Sequence, residues 1–219
     1  FYRAWANNEP TVSFDRPDSD RFCDYVGSMA GLGMPSLRQR DDVSDLTKLY
    51  YCGRLSCQTK CAEGLQDILN DYFQLPVCVE PFVGEWLNLP PQNICRLGLD
   101  PANGRLGRSV VVGLRAWGCQ HKFRISLGPL GFGDYESLLP VGNRIRRLVV
   151  LVRNYIGDEL AWDLQLVLNR DEVPAMRLDD RFRLGWTTWL GERPHENDAD
   201  DLIINAFASV IHQKQGMQK

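Results

Sequence analysis

The sequence predicts an α+β protein: two diverged helix-helix-strand repeat modules with small sheets, preceded by an amino-terminal helical segment. Three observations carry that expectation. Apolar residues spaced three and four apart alternate along the chain with segments of two-residue alternation, so helices and strands are interspersed. The order short helix, long helix, strand, proline-bearing loop and an RLG then LG signature occurs twice, over residues 44–107 and 133–191. With 219 residues, 44% of them hydrophobic, the chain can bury a substantial core. The expected boundaries are 1–43 for the amino-terminal segment, 44–118 and 119–193 for the modules, and 194–219 for an acidic loop and a helix-like tail.

The chain opens on FYRAW, which reads as the middle of a helix with no start signal before it, so a preceding amino-terminal stretch is expected to be missing. SDLTKLYY, from Ser44, begins with capping residues and sets Leu46, Leu49 and Tyr50 on one helical face. EGLQDILNDYF repeats the pattern with Leu65, Ile68, Leu69, Tyr72 and Phe73. Pro76 ends that helix, and VCVEPFV follows as a strand whose Pro81 suits a sheet edge or a bulge. WLNLPPQN reads as a loop, RLGLDPANGRLG as a turn-rich excursion, and SVVVGLRAW as strand-like.

KFRISL sets Phe123, Ile125 and Leu127 against Lys122, Arg124 and Ser126, a half-buried strand. After GPLGFG, Asp134 is placed to cap a short helix ending before Pro140. NRIRRLVVLVRNYIG is a helix burying Ile145, Leu148, Val149, Val152, Tyr155 and Ile156 and stopping at Gly157. AWDLQLVL sets Trp162, Leu164, Leu166 and Leu168 against Asp163, Gln165 and Val167, the clearest strand. In the tail, HENDADD is expected to be an acidic loop and first turn, and Leu202, Ile203, Ala206, Phe207, Val210 and Ile211 fall on a helical stripe.

Composition narrows the function. A net charge of −3 argues against a nucleic-acid-binding surface, and Arg144, Arg146 and Arg147 read as a solvated helix face. The longest apolar runs, such as LVVLV, are too short to span a bilayer, and no signal peptide opens the sequence. Seven cysteines scattered through a chain of this size fit a reducing cytoplasm.

Four stretches carry residue types that could support chemistry. The glycine-rich turn at 128–133, with Arg144, Arg146 and Arg147 nearby, would suit a nucleotide- or phosphate-ligand-binding enzyme, because a glycine-rich turn before a helix can cradle an anion. It lacks a P-loop lysine and places Asp134 where the anion would sit, so local turn chemistry is the plainer account. The other copy of the module has no glycines at this point.

Cys52, Cys57 and Cys61 have the spacing C-x4-C-x3-C with no second ligand pair, which is not a zinc signature. His195, Glu196, Asp198, Asp200 and Asp201 read as a surface loop before they read as a cation site. With three histidines, neither GxSxG nor HExxH, His121 at a strand's start, and the pairs Asp41/Asp42 and Asp179/Asp180 in polar turns, no catalytic set emerges. No cofactor or metal is expected.

What remains is apolar side chains in loops: Trp86, Leu87 and Leu89 in EWLNLPP, and Trp186, Trp189 and Leu190 in GWTTWLG. They either pack onto their own domain or anchor a partner, since desolvated tryptophans are typical interface hot spots. A peptide-binding module using the edge of VCVEPFV is a further reading.

The ordered motifs RFCDYVGSMAGLG, KLYYCGRLS, EGLQDILNDYF, VEPFVGEWLNLPP, LGRSVVVG, KFRISLGPL, LLPVG, RRLVVLVRNYIG, EVPAMRL and RLGWTTWLG resemble the TssG (ImpH/VasB) family of bacterial type VI secretion systems, from Phe1 to about Asp201. The clustered cysteines and the tail from Ile203 depart from the family pattern. The resemblance implies a non-catalytic baseplate scaffold in the cytoplasm, docked at the inner-membrane complex. Its implied partners are two copies of TssF, the sheath-initiating TssE and trimers of TssK, with the hub and spike and the sheath reached indirectly. Under it, the two modules would hold two TssK trimers through the Trp86–Leu89 and Trp186–Leu190 loops, with strand edges and the amino-terminal helix left to TssF.

Overall fold

The computed structural model describes residues 21–95, 105–174, 183–189 and 197–206. Its first helix, α1 (Arg21–Met29), is followed by α2 (Asp45–Tyr50), α3 (Cys52–Leu55) and α4 (Ala62–Phe73). β1 (Val77–Glu80), β2 (Glu85–Asn88), β3 (Arg115–Gly118) and β4 (Lys122–Leu130) come next. α5 (Phe132–Leu138), α6 (Arg144–Ile156), β5 (Ala161–Leu168) and β6 (Ala199–Ile204) complete the described elements. The mixture of helices and small sheets is the expected α+β class. FYRAW lies outside the described residues.

The helices form where capping and periodicity ask for them. The Ser44 hydroxyl accepts a hydrogen bond from the Thr47 amide to start α2, and the Cys61 Sγ accepts one from Gly64 to start α4. α4 buries Leu65, Ile68, Leu69 and Phe73, and α6 buries Ile145, Leu148, Leu151, Val152 and Tyr155. Each such side chain contributes about 1.5–3 kcal/mol of burial, which is why these two helices anchor the core. α6 ends at Gly157, whose φ of +84° suits a residue without a Cβ.

Four strands make one sheet in the order β1-β4-β5-β6. β1 runs antiparallel to β4, β4 parallel to β5, and β5 antiparallel to β6. The parallel pair needs a crossover, supplied by α5 and α6. The succession helix, helix, strand thus recurs as α2/α3, α4, β1 and as α5, α6, β5, with β1 and β5 running in opposite directions on either side of β4. Both successions feed a single hydrophobic cluster, in which Leu69, Phe73, Val77, Ile125, Leu148 and Leu164 take part.

β1 is an edge strand, as Pro81 suggests, and the edge is occupied. The Val77 amide donates to Asn70 Oδ1 at 2.7 Å and the Val79 amide to Gln66 Oε1 at 3.3 Å, so helix side chains take the place of a further strand. No helix among the described residues is long and apolar enough to cross a membrane.

Five expectations change. Residues 199–204 are a strand where the apolar spacing predicted a helix: Leu202 and Ile204 stand opposite Leu166 and Leu164, and ladder pairing outweighs the helical stripe. Of that stripe, Phe207, Val210 and Ile211 lie outside the described residues. α2 is present, but its predicted face is turned outward, with Leu46 and Tyr50 exposed and Lys48 buried between Asp41 and Asp45. Glu85–Asn88 is a strand and not loop, whereas in SVVVGLRAW only Arg115–Trp117 belongs to one. α5 begins after Gly131, three residues earlier than an Asp134 cap would give.

Candidate partner-docking hairpin

Beyond the sheet, the chain builds a second, two-stranded antiparallel ribbon from β2 and β3. Its register pairs Glu85 with Gly118, Trp86 with Trp117, Leu87 with Ala116 and Asn88 with Arg115. The Leu89 amide extends the ladder by donating to the Leu114 carbonyl at 3.0 Å. β2 and β3 prolong β1 and β4: between the pairs Glu80/Arg124 and Glu85/Gly118, one strand carries Pro81 to Gly84 and the other Cys119 to Phe123. Four residues thus face five, a bulge that re-aims the ribbon as it leaves the core.

The apolar side chains of β2 and β3 face solvent. Trp86 and Trp117 are each 59% exposed, lie on the same face as direct cross-strand neighbours, and meet edge to face with ring centroids 5.3 Å apart. Such aromatic pairs contribute about 0.5–1.5 kcal/mol beyond the area they cover. Leu87 projects from the other face and is also exposed, while Leu89 is half-buried. Leu114, Val112 and Leu106 continue the exposed apolar surface toward the turn-rich excursion.

Two glycines make the pairing possible. A Cβ on Gly84 would lie 2.0 Å from Trp117 Cζ2, so that ring rests on bare backbone, and one on Gly118 would lie 3.2 Å from Leu87 Cδ1. Sequence reasoning found Trp86, Leu87 and Leu89 from apolar residues near prolines. It missed Trp117, which was read only as part of a strand. The legible signal was two tryptophans flanking one turn-rich excursion, each with a nearby glycine.

At its base the hairpin is tied to the sheet by charge. Lys122 Nζ lies 2.8 Å from Asp163 Oδ2 on β5 and 3.5 Å from Glu85 Oε2 on β2, and Arg124 is 4.0 Å from the same Asp163 oxygen. Burial opposes the Lys122 charge, but the hydrogen bond to Asp163 and the two neighbouring carboxylates outweigh it and raise its pKa above the ordinary value.

The second apolar loop is placed differently. Trp186 and Trp189 are half-buried and pack against the core. Tyr135 donates its hydroxyl hydrogen to the Trp186 carbonyl at 2.8 Å, and the Trp189 indole N–H donates to Asp201 Oδ2 at 3.2 Å. Leu184, at the head of the same turn, is exposed. Leu190 lies outside the described residues. The structure therefore does not bring the two tryptophan loops into equivalent settings.

The glycine-rich turn is engaged internally. The Phe132 amide at the start of α5 donates to the Glu172 carboxylate, so the chain's own anion sits where a phosphate would. Arg144 pairs with Asp134, donates to the Phe73 carbonyl at 2.9 Å and lies over the Phe73 ring. Gly128, with φ of +144°, is needed because a Cβ there would lie 2.4 Å from the Val167 carbonyl oxygen.

The cysteines are dispersed in use. Cys52 donates to the Val26 carbonyl, Cys57 to the Gly53 carbonyl, and Cys61 caps α4. Asp198 accepts from the Arg170 amide, and Asp200 offers its carbonyl to Gln165. His195, Glu196, Asp179 and Asp180 lie outside the described residues. Among those described, no group of three or more His, Cys, Asp and Glu side chains is placed to hold a metal ion.

A mixed sheet thus carries an exposed apolar hairpin past its own core. The family described as "Type VI secretion, TssG" matches residues 1–191, and the chain belongs to that family. Its fold is similar to a chain in a cryo-electron-microscopy structure of the type VI secretion TssK-TssF-TssG baseplate subcomplex, with a TM-score of 0.63 and 22% identity over 83% of this chain and 75% of that one. It is also similar to a chain in the baseplate complex from the type VI secretion system, with a TM-score of 0.59 and 21% identity over 93% of this chain and 58% of the other. No curated protein matches it.

Proposed function

We propose that this chain is a non-catalytic scaffold of the type VI secretion baseplate wedge, joining TssF copies and TssE to TssK trimers in the cytoplasm. Family membership supports the system, and the similar folds found within TssK-TssF-TssG assemblies support the setting. The observation that carries the reading is the exposed Trp86/Trp117 pair on a two-stranded hairpin. Aromatic side chains presented in this way are the usual anchors of interfaces, where a few residues supply most of the binding energy.

The hairpin is the primary contact, made by Trp86, Leu87 and Trp117. The turn at Trp186–Leu190 is a second contact, in which Trp186 and Trp189 form the packed foundation and Leu184 an exposed outer residue. Several modest contacts on one chain give avidity without a single tight site. Two TssK trimers and two TssF copies per chain is the stoichiometry that two such contacts suggest.

Co-expression of the tagged chain with TssF and TssK, followed by native mass spectrometry, tests this. The expected result is a discrete complex containing both partners, with Trp86→Ala weakening capture by about 2 kcal/mol. A folded monomer that ignores both partners would overturn the scaffold reading. Wild-type capture by folded Trp86→Ala and Trp117→Ala variants would overturn the hairpin assignment alone.

A further inference from the structure

We propose that Lys122 is a positioning residue that sets the angle of the β2–β3 hairpin relative to the sheet, acting as a clamp between Glu85 and Asp163. The hairpin needs such a device. A two-stranded ribbon with both faces exposed is marginal by itself, and it leaves the core through a bulge that includes Pro81 and Phe82, the latter at φ of +60°. Contacts that cross that joint include the Val83 amide to the Lys122 carbonyl at 2.9 Å, the Trp117 ring over Gly84, and the Lys122 side chain.

Of these, only the lysine reaches past β4 to the neighbouring strand. Its side chain is 16% exposed, so its charge needs compensation where it stands. Asp163, with a side chain 12% exposed, is the fixed end of the clamp, and Glu85, the first residue of β2, is the hairpin end. The row Glu85, Lys122, Asp163 therefore couples the direction of β2 to β5, in the centre of the sheet. Whether the hairpin docks a partner rests on the preceding reading; the clamp does not.

Glu85→Gln removes the charge at the hairpin end and leaves the Lys122/Asp163 pair intact. Lys122→Met removes the bridge, with Arg124, already 4.0 Å from Asp163 and with a buried Nε that lacks a partner, left to face the carboxylate. The test is the amide order of Trp86, Leu87, Ala116 and Trp117, from residual dipolar couplings fitted with the alignment tensor of β4 and β5. In the wild type these amides should share the rigid value, near ~0.85. In Glu85→Gln and Lys122→Met they should fall below about 0.6 while β4 and β5 keep theirs. Glu85→Asp should restore much of the order.

Unchanged order in both variants overturns the clamp. Loss in Lys122→Met alone also overturns it, because the effect would then belong to the Asp163 side. If Lys122→Met does not fold, Glu85→Gln decides. Trp86→Ala separates the two readings: retained partner capture with that variant would sink the docking surface and leave the clamp standing.

Discussion

The Tyr155 hydroxyl occupies the space that a side chain at position 64 would need. A Cβ on Gly64 would lie 2.4 Å from its oxygen, and the same hydroxyl donates to the Cys61 carbonyl at 3.1 Å while the Cys61 amide approaches it at 3.3 Å. One phenol thus fastens α6 to the first turn of α4 and explains a glycine inside a helix.

Gly64→Ala should therefore destabilise the protein by about 1–3 kcal/mol, although alanine is the better helix former by up to about 1 kcal/mol. In a Tyr155→Phe background, itself costing about 1 kcal/mol for the lost hydrogen bond, the alanine should be tolerated better. Urea unfolding of the four proteins forms a double-mutant cycle, and strict additivity would contradict the shared space.

Lys48 is 2% exposed and stands 3.0 Å from Asp41 and 3.2 Å from Asp45, whose side chains keep about a quarter to a third of their exposure. Lys48→Ala leaves a void and two carboxylates facing it, for a loss of about 2–3 kcal/mol, below the range for a fully buried pair because both acids can turn toward water. Lys48→Met should lose less, since it refills the volume. Equal urea midpoints for the alanine variant and the wild type would show that the pair contributes nothing.

At high pH the protein should lose stability as its buried tyrosines and Lys122 are forced to deprotonate. Burial raises the Tyr51 pKa, helped by its hydrogen bond to Asp71; burial and the Asp201 charge raise that of Tyr135; burial also raises that of Tyr155. The Lys122 pKa is raised as well, by carboxylates that outweigh its burial. A pKa raised in the folded state gives stability that is complete below the unfolded value, about 10, and is lost as pH climbs through the folded value. Tyrosinate absorbance should show Tyr51, Tyr135 and Tyr155 ionising only with unfolding. Ionisation of these three while the protein is still folded would refute this.

Glu172→Ala should cost about 1 kcal/mol by uncapping α5. Because Glu172 holds the anion position at Phe132, thermal scans of the wild type with inorganic phosphate or nucleotides should show no shift. A concentration-dependent rise in melting temperature would restore the phosphate-binding reading of GPLGFG.

Much of the fold was legible because its signals are local. Leu65, Ile68 and Leu69 or Ile145, Leu148 and Val152 repeat at helical spacing, Phe123, Ile125 and Leu127 at strand spacing, and all are buried as expected. The hairpin site was half legible. Trp86 and Leu87 were found from apolar residues beside prolines, but Trp117 sits across a long excursion, and only strand register makes it their neighbour.

The sequence by itself determined the two amphipathic helices α4 and α6, the strands β4 and β5, and the family, since periodicity, caps and ordered motifs are written along the chain. Tertiary structure alone decided the rest. LIINAF fits a helix or a strand until Leu164 and Leu166 offer it a ladder, Lys48 is polar until Asp41 and Asp45 close over it, and Trp186 is a loop tryptophan until Tyr135 binds its carbonyl. In each case the deciding partner comes from outside the local run, and pairing energy depends on which surfaces meet, which no local pattern encodes.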